Sequence, residues 1–136
     1  METSVDYLGG LRFEVTTRGH HIVSDQPLEN RGADSGMTPP ELLLASLGTC
    51  AGYYAVEYLR ARSLPTDGLR VHVEAEKAAK PARLNMFRIR VDARNVDQKH
   101  QDGLLRAVQH CLIHNTLLQP PSIEVVVKLG AETRAA

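Results

Sequence analysis

A predicted helix that is apolar nearly all round restricts the fold of this chain more than any other segment. Thr38 suits the N-cap, Pro39 the first helical position and Glu41 the third, and together they predict a capping box. The helix is expected to run to about Arg62, before Pro65. Its first half must be buried on more than one side. Because a chain of 136 residues has limited means of surrounding such a helix, we expect an obligate homodimer.

Alternation of apolar and polar side chains predicts strands before and after this helix. The predicted strands cover residues 11–16, 20–25, 69–76, 87–93 and 123–129. Asp97 is expected to cap a second helix that reaches about Leu118. Mostly antiparallel strands with two core helices indicate an α+β fold. We expect one domain over residues 1–136, with loose termini at 1–10 and 130–136.

Charge and composition exclude several classes of partner. Sixteen basic residues balance sixteen acidic ones, so no net charge attracts nucleic acid or an anionic membrane. The longest apolar region carries Glu41 and Glu57 and is not expected to span a membrane. The sequence does not open on a basic stretch followed by an apolar run, which favours a cytoplasmic protein. It has no glycine-rich phosphate loop and no nucleophile elbow, and no cofactor is expected.

The two cysteines, Cys50 on the first helix and Cys111 on the second, are the first residues that could carry chemistry. A structural disulfide is unusual in a reducing cytosol, whereas a transient catalytic one is not. One interpretation is a reactive thiolate at Cys50 with a resolving thiol at Cys111. It requires the helices to cross at the two sulfurs and a cation to lie near Cys50. The other interpretation is a pair of buried small hydrophobes.

The charged residues that could assist Cys50 are ambiguous from spacing alone. Arg18 lies at a predicted hairpin tip and Arg31 in the long loop before the first helix, and solvated turn residues are the favoured interpretation of both. Glu57 shares the helix face of Cys50, whereas Glu41 lies nine residues before it, about 180° away. This geometry favours a capping role of Glu41 over a contact with Cys50.

A histidine pair flanks Cys111 at helical spacing. His110 and His114 are four residues apart and could bind zinc from one helix face. Because no third ligand is evident, polar-face histidines are the favoured interpretation, and no metal site is predicted.

Two segments resemble the OsmC/Ohr family, the osmotically induced and organic-hydroperoxide-resistance proteins. They are Thr38–Cys50, a proline-glutamate-apolar helix that leads to a cysteine, and Cys111–Leu117 around the second cysteine. The order of hairpins and helices from Leu11 to Leu129 is also similar. Glu41 stands one residue closer to Cys50 than the corresponding glutamate does in the best-known hydroperoxide reductases, which resembles an OsmC-like subgroup.

The resemblance implies an intertwined α+β homodimer with active sites at the subunit interface, and thiol-dependent reduction of organic hydroperoxides. By position, Cys50 is the peroxidatic cysteine and Cys111 the resolving one. Arg18 matches the arginine that activates the thiolate, and Glu41 matches the glutamate that holds this arginine. The reductant is then an external thiol or dithiol, and neither a cofactor nor a metal takes part.

Two hypotheses follow for the function. In the first, the Cys50 thiolate attacks a peroxide, becomes a sulfenic acid and condenses with Cys111 to a disulfide that an external thiol reduces. In the second, the chain is a non-catalytic dimeric module that binds a small apolar or thiol-containing ligand at the subunit interface, and Cys50 is unreactive. The separation of the two sulfurs and the cation nearest to Cys50 discriminate between them.

Overall fold

An antiparallel three-stranded sheet opens the chain, which a computed structural model describes over residues 1–130. Its strands are β1 (Ser4–Gly9), β2 (Arg12–Thr17) and β3 (His20–Ser24), hydrogen-bonded in that order. Gly9 and Gly10 take φ of 98° and 63°, a conformation that glycine adopts at little cost, and they fold β1 onto β2. Residues 1–10 are therefore not the loose end predicted from the sequence, because this turn gives them a strand to pair with.

The predicted hairpin around Arg18 and Gly19 is confirmed. β2 and β3 pair with Val15 opposite Ile22, and the two turn residues take φ of 50° and 79°. Within residues 1–130, the strands of this sheet contact one another and touch the helices at most marginally. The sheet leaves apolar side chains open to solvent, namely Val5, Tyr7, Leu8, Leu11, Phe13 and Ile22.

The apolar helix forms as α1 (Pro39–Arg60), two residues shorter at its end than predicted. The backbone N–H and the hydroxyl of Thr38 both donate to Oε2 of Glu41, at 2.7 and 2.8 Å, so the capping contact expected at this helix start is present. Four side chains at successive turns are at most 1% exposed, namely Leu47, Ala51, Ala55 and Leu59. They mark the face of α1 that lies in the core.

The long antiparallel hairpin is also confirmed, as β4 (Arg70–Ala79) and β5 (Ala82–Asp92). One face of it packs on α1, and its residues in that core are Val71, Ile89 and Val91. A Cβ on Gly48 would lie 3.0 Å from Val73 Cγ2, so the glycine lets α1 approach β4 closely. Mixed helices and antiparallel sheets confirm the predicted α+β class.

The second predicted helix, from Asp97 to Leu118, is broken into pieces. Asp97 accepts from the backbone N–H of Lys99 at 2.8 Å and begins a short 3-10 helix, as its capping role predicts. The helical segments are a 3-10 helix (Gln98–His100), α2 (Gln101–Gln109) and α3 (Leu112–Leu118). The N–H groups of His110 and Cys111 bond to carbonyls only three residues back, which tightens the chain and ends α2. Cys111 is therefore the N-cap of α3 rather than a residue inside a helix.

The predicted last strand over residues 123–129 is not present in the described part of the chain. Residues 119–130 carry no regular structure, although their apolar and polar side chains alternate as a strand requires. The apolar side chains are 71 to 86% exposed, namely Ile123, Val125, Val126, Val127 and Leu129. A strand needs a neighbour for its backbone hydrogen bonds, and no other strand lies beside this segment within residues 1–130. Residues 131–136, expected to be loose, lie outside the described residues.

Candidate active site

The two cysteines meet where α3 begins beside α1. Cys50 lies in the middle of α1 and is half-buried, whereas Cys111 is fully buried at the N-cap of α3. Cys50 lies close enough to Cys111 to raise the pKa of its thiol, and no disulfide joins the two cysteines. The structure thus brings together the two residues that the sequence places on separate helices.

Burial controls the chemistry of the Cys111 thiol. It raises the pKa of Cys111 above the ordinary value of 9.0, and the hydrogen bond to Cys50 and the charge of that residue act in the same direction. The backbone N–H of His114, which donates to Sγ of Cys111 at 3.4 Å, opposes this shift. Cys111 is therefore a neutral thiol at pH 7, suited to act after another group has been oxidised.

The carboxylate of Glu41 is held at the start of α1. Its hydrogen bonds from Thr38 are the main reason that the pKa of Glu41 is lowered, and the charge of Lys77 on β4 adds to the effect. Both hydrogen bonds described for this carboxylate go to Oε2. Cys50 follows Glu41 by nine residues, which places the two side chains on opposite sides of an ideal helix. The role of Glu41 toward an arginine stays a prediction.

The two candidate arginines lie on turns. Arg18 is exposed at the tip of the β2–β3 hairpin, and Arg31 is exposed in the loop before α1 with φ of 67°. Glu57, the alternative carboxylate on the face of Cys50, is exposed as well. Within residues 1–130 no ion pair involves any of these three residues or Glu41. The described chain therefore brings the thiols together without a paired cation beside them.

A buried carboxylate that sequence reasoning missed organises the loop between β3 and α1. Asp25 is 1% exposed and accepts hydrogen bonds from the backbone N–H groups of Gln26, Ala33 and Ser35, and from the Ser35 hydroxyl, at 2.7 to 3.1 Å. The bonds from Ser35 lower the pKa of Asp25 to about 2. The available signal was an acidic residue at the end of an alternating strand, followed by a long loop of turn residues with many free donors.

The loop between β3 and α1 is compact, because its backbone makes two close approaches to neighbouring segments. A Cβ on Gly32 would overlap the backbone of Gln26, and one on Gly36 would overlap the backbone of Val23. Arg31 thus stands on a loop whose course is fixed by a central carboxylate and by two close backbone approaches.

The histidines beside Cys111 have different surroundings. His110 is exposed at the end of α2. His114 is half-buried, and its Nδ1 atom is buried without a hydrogen-bond partner. No group of three or more metal-ligating side chains occurs in residues 1–130.

An apolar trough of about 350 Å³ lies between α1 and β4. Its lining residues are Leu44, Ala45, Gly48, Thr49, Val71 and Val73. The trough is on the β4 side of α1, and Cys50 does not line it. It could hold an apolar group of modest size next to the cysteine-bearing turn.

As far as the structure describes the chain, none of its helices has the length and apolar character that crossing a membrane requires.

Comparisons with solved structures identify the fold. An osmotic stress induced and detoxification response protein of Psychrobacter arcticus is 24% identical, with 84% of this chain and 85% of that chain covered and a TM-score of 0.76. The organic hydroperoxide resistance protein OsmC of Legionella pneumophila is 18% identical over 86% of this chain and 89% of its own, with a TM-score of 0.61. An organic hydroperoxide resistance protein of Elizabethkingia anophelis is 19% identical over 85% and 87%, with a TM-score of 0.56.

The sequence itself matches a family model over most of its length. None of the curated proteins matches the chain significantly. The model described as OsmC-like protein matches residues 32–126, a range that includes α1, both cysteines and the β4–β5 hairpin. The fold of the solved structures agrees with this match. The chain therefore belongs to the OsmC-like family.

Proposed function

We propose that this protein is a thiol-dependent peroxidase that reduces organic hydroperoxides. The Cys50 thiolate attacks the O–O bond, takes one oxygen to become a sulfenic acid and releases an alkoxide, which is protonated to the alcohol. Cys111 then attacks the Cys50 sulfur, so that a disulfide forms and water leaves. An external thiol or dithiol reduces this disulfide and restores both cysteines.

The observation that carries the proposal is the approach of Cys50 on α1 to Cys111 at the start of α3, where the two helices are in contact. A sulfenic acid on Cys50 would therefore form near its resolving thiol. Exposure fits the two roles as well, because Cys50 is half-buried and Cys111 is fully buried. An oxidant from solution therefore meets Cys50 first.

Activation of Cys50 needs a cation, and we propose that Arg18 supplies it. Arg18 stands on a sheet that makes at most marginal contact with the helices of its own chain. An arginine on such a sheet reaches the thiol of a second copy more readily than its own. Glu41 would hold the arginine. Both hydrogen bonds described for its carboxylate are accepted by Oε2, so Oε1 is the atom that would accept from the guanidinium. Arg31 and Glu57 are the alternatives on the neighbouring loop and helix face.

A homodimer follows from this arrangement, and exposed apolar surface supports it. The N-terminal sheet and the segment 123–129 expose apolar side chains that a monomer has no means of covering. A second copy would bury both surfaces and complete the site. We further propose that the protein acts in the cytoplasm, where an external thiol is available to reduce the disulfide.

Consumption of tert-butyl hydroperoxide in the presence of a dithiol tests the proposal. We expect turnover by the wild type, loss of turnover in Cys50→Ser, and accumulation of a sulfenic acid on Cys50 in Cys111→Ser. Mass spectrometry of the wild type after one equivalent of peroxide should find a Cys50–Cys111 disulfide. If both cysteines stay reduced under excess organic hydroperoxide, the proposal is wrong.

One observation favours a second candidate, a dimeric module that binds a small apolar or thiol-containing ligand. The apolar trough beside Gly48 and Thr49 offers room for such a ligand, and no described ion pair places a cation at Cys50. This candidate predicts no peroxide consumption together with saturable binding of an apolar fluorescent probe. Ala45→Leu, which enlarges a side chain that lines the trough, should abolish that binding and leave a peroxidase largely active.

A further inference from the structure

The histidine whose backbone contacts the resolving thiol carries an unsatisfied side-chain atom. Among the side chains described over residues 1–130, Nδ1 of His114 is the buried nitrogen or oxygen that lacks a hydrogen-bond partner. The backbone N–H of the same residue donates to Sγ of Cys111 at 3.4 Å. A buried polar atom without a partner lowers stability, so its retention in the residue that contacts Cys111 points to a chemical role.

A second copy of the chain does not supply the missing partner. Nδ1 has less than 1 Å² of exposed surface in the single chain, so this chain's own atoms already cover it. A small rotation of the imidazole can bring this buried nitrogen to a proton donor within the same chain. Covalent geometry keeps Nδ1 within roughly 5 Å of the backbone nitrogen of His114. That nitrogen already contacts Sγ of Cys111.

The resolving step needs a base at this place. Cys111 is fully buried, and it must lose a proton as its sulfur attacks Cys50. Its backbone donor from α3 stabilises negative charge on the sulfur but cannot remove a proton. Neutral imidazole is the side chain best suited to that task near pH 7.

We propose that His114 is the base that accepts the Cys111 thiol proton while Cys111 attacks the oxidised sulfur of Cys50. This inference rests on the proposed peroxidase, whose resolving step it completes. The Cys111 sulfur forms the S–S bond and the S–O bond of the Cys50 sulfenic acid breaks. Cys111 is oxidised and Cys50 is reduced to the disulfide level. His114 passes its proton to the departing hydroxide, and water leaves.

The other titratable groups around the thiols are poorer candidates. On the Cys50 face of α1 they are Tyr54 and Glu57, and Glu57 is exposed. The titratable group between α2 and α3 is His110, which is also exposed. His110 directly precedes Cys111, and it therefore provides a matched control of the same residue type at nearly the same distance along the chain.

A mixed-disulfide assay isolates the attack by Cys111 without any peroxide. Dithiobis(nitrobenzoate), an aromatic disulfide, first reacts with the more exposed Cys50 and releases one thionitrobenzoate. Cys111 then attacks this mixed disulfide and releases the second. We expect His114→Ala to slow the second release by about a hundredfold and to leave the first unchanged. His110→Ala should change neither step.

Two further measurements separate a base from a merely structural residue. Added imidazole should restore the second release in His114→Ala, because it fits the space that the side chain vacates. His114→Asn keeps a hydrogen-bonding atom near Nδ1 but accepts no proton, so it should remain slow. Full activity in His114→Asn, or equal slowing in His110→Ala, would overturn the inference.

A peroxide arm distinguishes this inference from the proposed function. If organic hydroperoxide fails to oxidise Cys50 while the second release still depends on His114, the peroxidase proposal is wrong and the base assignment holds. If peroxide yields the disulfide at the same rate in wild type and His114→Ala, the peroxidase holds and the base assignment is wrong.

Discussion

Truncation of Leu47 tests whether the core of α1 lies where the structure has it. Leu47 is 1% exposed and stands one helical turn before Cys50. Leu47→Ala removes three carbon groups, whose transfer from water is worth about 0.8 kcal/mol each. A cavity term adds to this, so we expect the free energy of unfolding to fall by about 3 to 4 kcal/mol. For a chain of this size, Tm should fall by roughly 10 °C.

Leu43→Ala is the matched control, because it is the same change one turn earlier on the same helix. Leu43 is 36% exposed, and its truncation should cost about 1 kcal/mol or less. Urea unfolding at one fixed protein concentration measures both variants and removes the effect of self-association on the comparison. Equal losses in the two variants would refute the assignment of the buried face of α1.

Three other perturbations test titratable groups. The pKa of Asp25 is lowered to about 2, so its contribution to stability is present above about pH 4 and is lost as the pH falls through 2; Asp25→Asn should flatten acid unfolding over this range. The pKa of Cys111 is raised, so its thiol ionises at a lower pH in the unfolded chain than in the folded one. The free energy of unfolding should therefore fall as the pH rises above about 9. In Cys111→Ser, melting curves measured over a pH series should no longer show this fall in stability. Glu41→Gln should keep Tm nearly constant, because Gln also completes a capping box, and it should slow alkylation of Cys50 several-fold. If alkylation is unchanged in Glu41→Gln and slowed in Glu57→Gln instead, Glu57 is the carboxylate that orients the cation.

Local signals in the sequence predicted the parts of the fold that depend on local chemistry. The capping contact between Thr38 and Glu41, the turn at Arg18 and Gly19, and the β4–β5 hairpin all follow from residues close together in sequence. The α+β class follows from the order of these elements. Membership of the OsmC-like family was also foreseen from the two cysteine segments.

Features that depend on distant contacts escaped prediction. The helical spacing of apolar residues continues through His110 and Cys111, so no residue pattern in the sequence predicted the break between α2 and α3. Gly103 lies inside α2, although glycine is a poor helix former. The structure shows what the glycine permits, because a Cβ there would overlap the phenol of Tyr58 where α2 crosses α1.

The candidate site divides in the same way. Helix geometry predicts that Cys50 and Glu41 lie on different faces of α1, whereas the approach of the two cysteines depends on the placement of α3 against α1. Asp25 was missed because three of its four hydrogen bonds come from residues eight and ten positions later, and the sequence does not show that the loop folds back to it. The unpartnered Nδ1 of His114 is a property of packing, which no spacing reveals.

The uncovered segment at residues 123–129 makes the nascent chain prone to aggregation. Its run of Ile and Val has high β-propensity, and an unpaired strand of that composition is a template for pairing with any other chain. Pro120 and Pro121 before it, with Glu124 and Lys128 inside it, are the kind of residues that limit such pairing. Replacing Glu124 and Lys128 with apolar residues should therefore send newly made chains into inclusion bodies, even though neither side chain contributes to the thiol site.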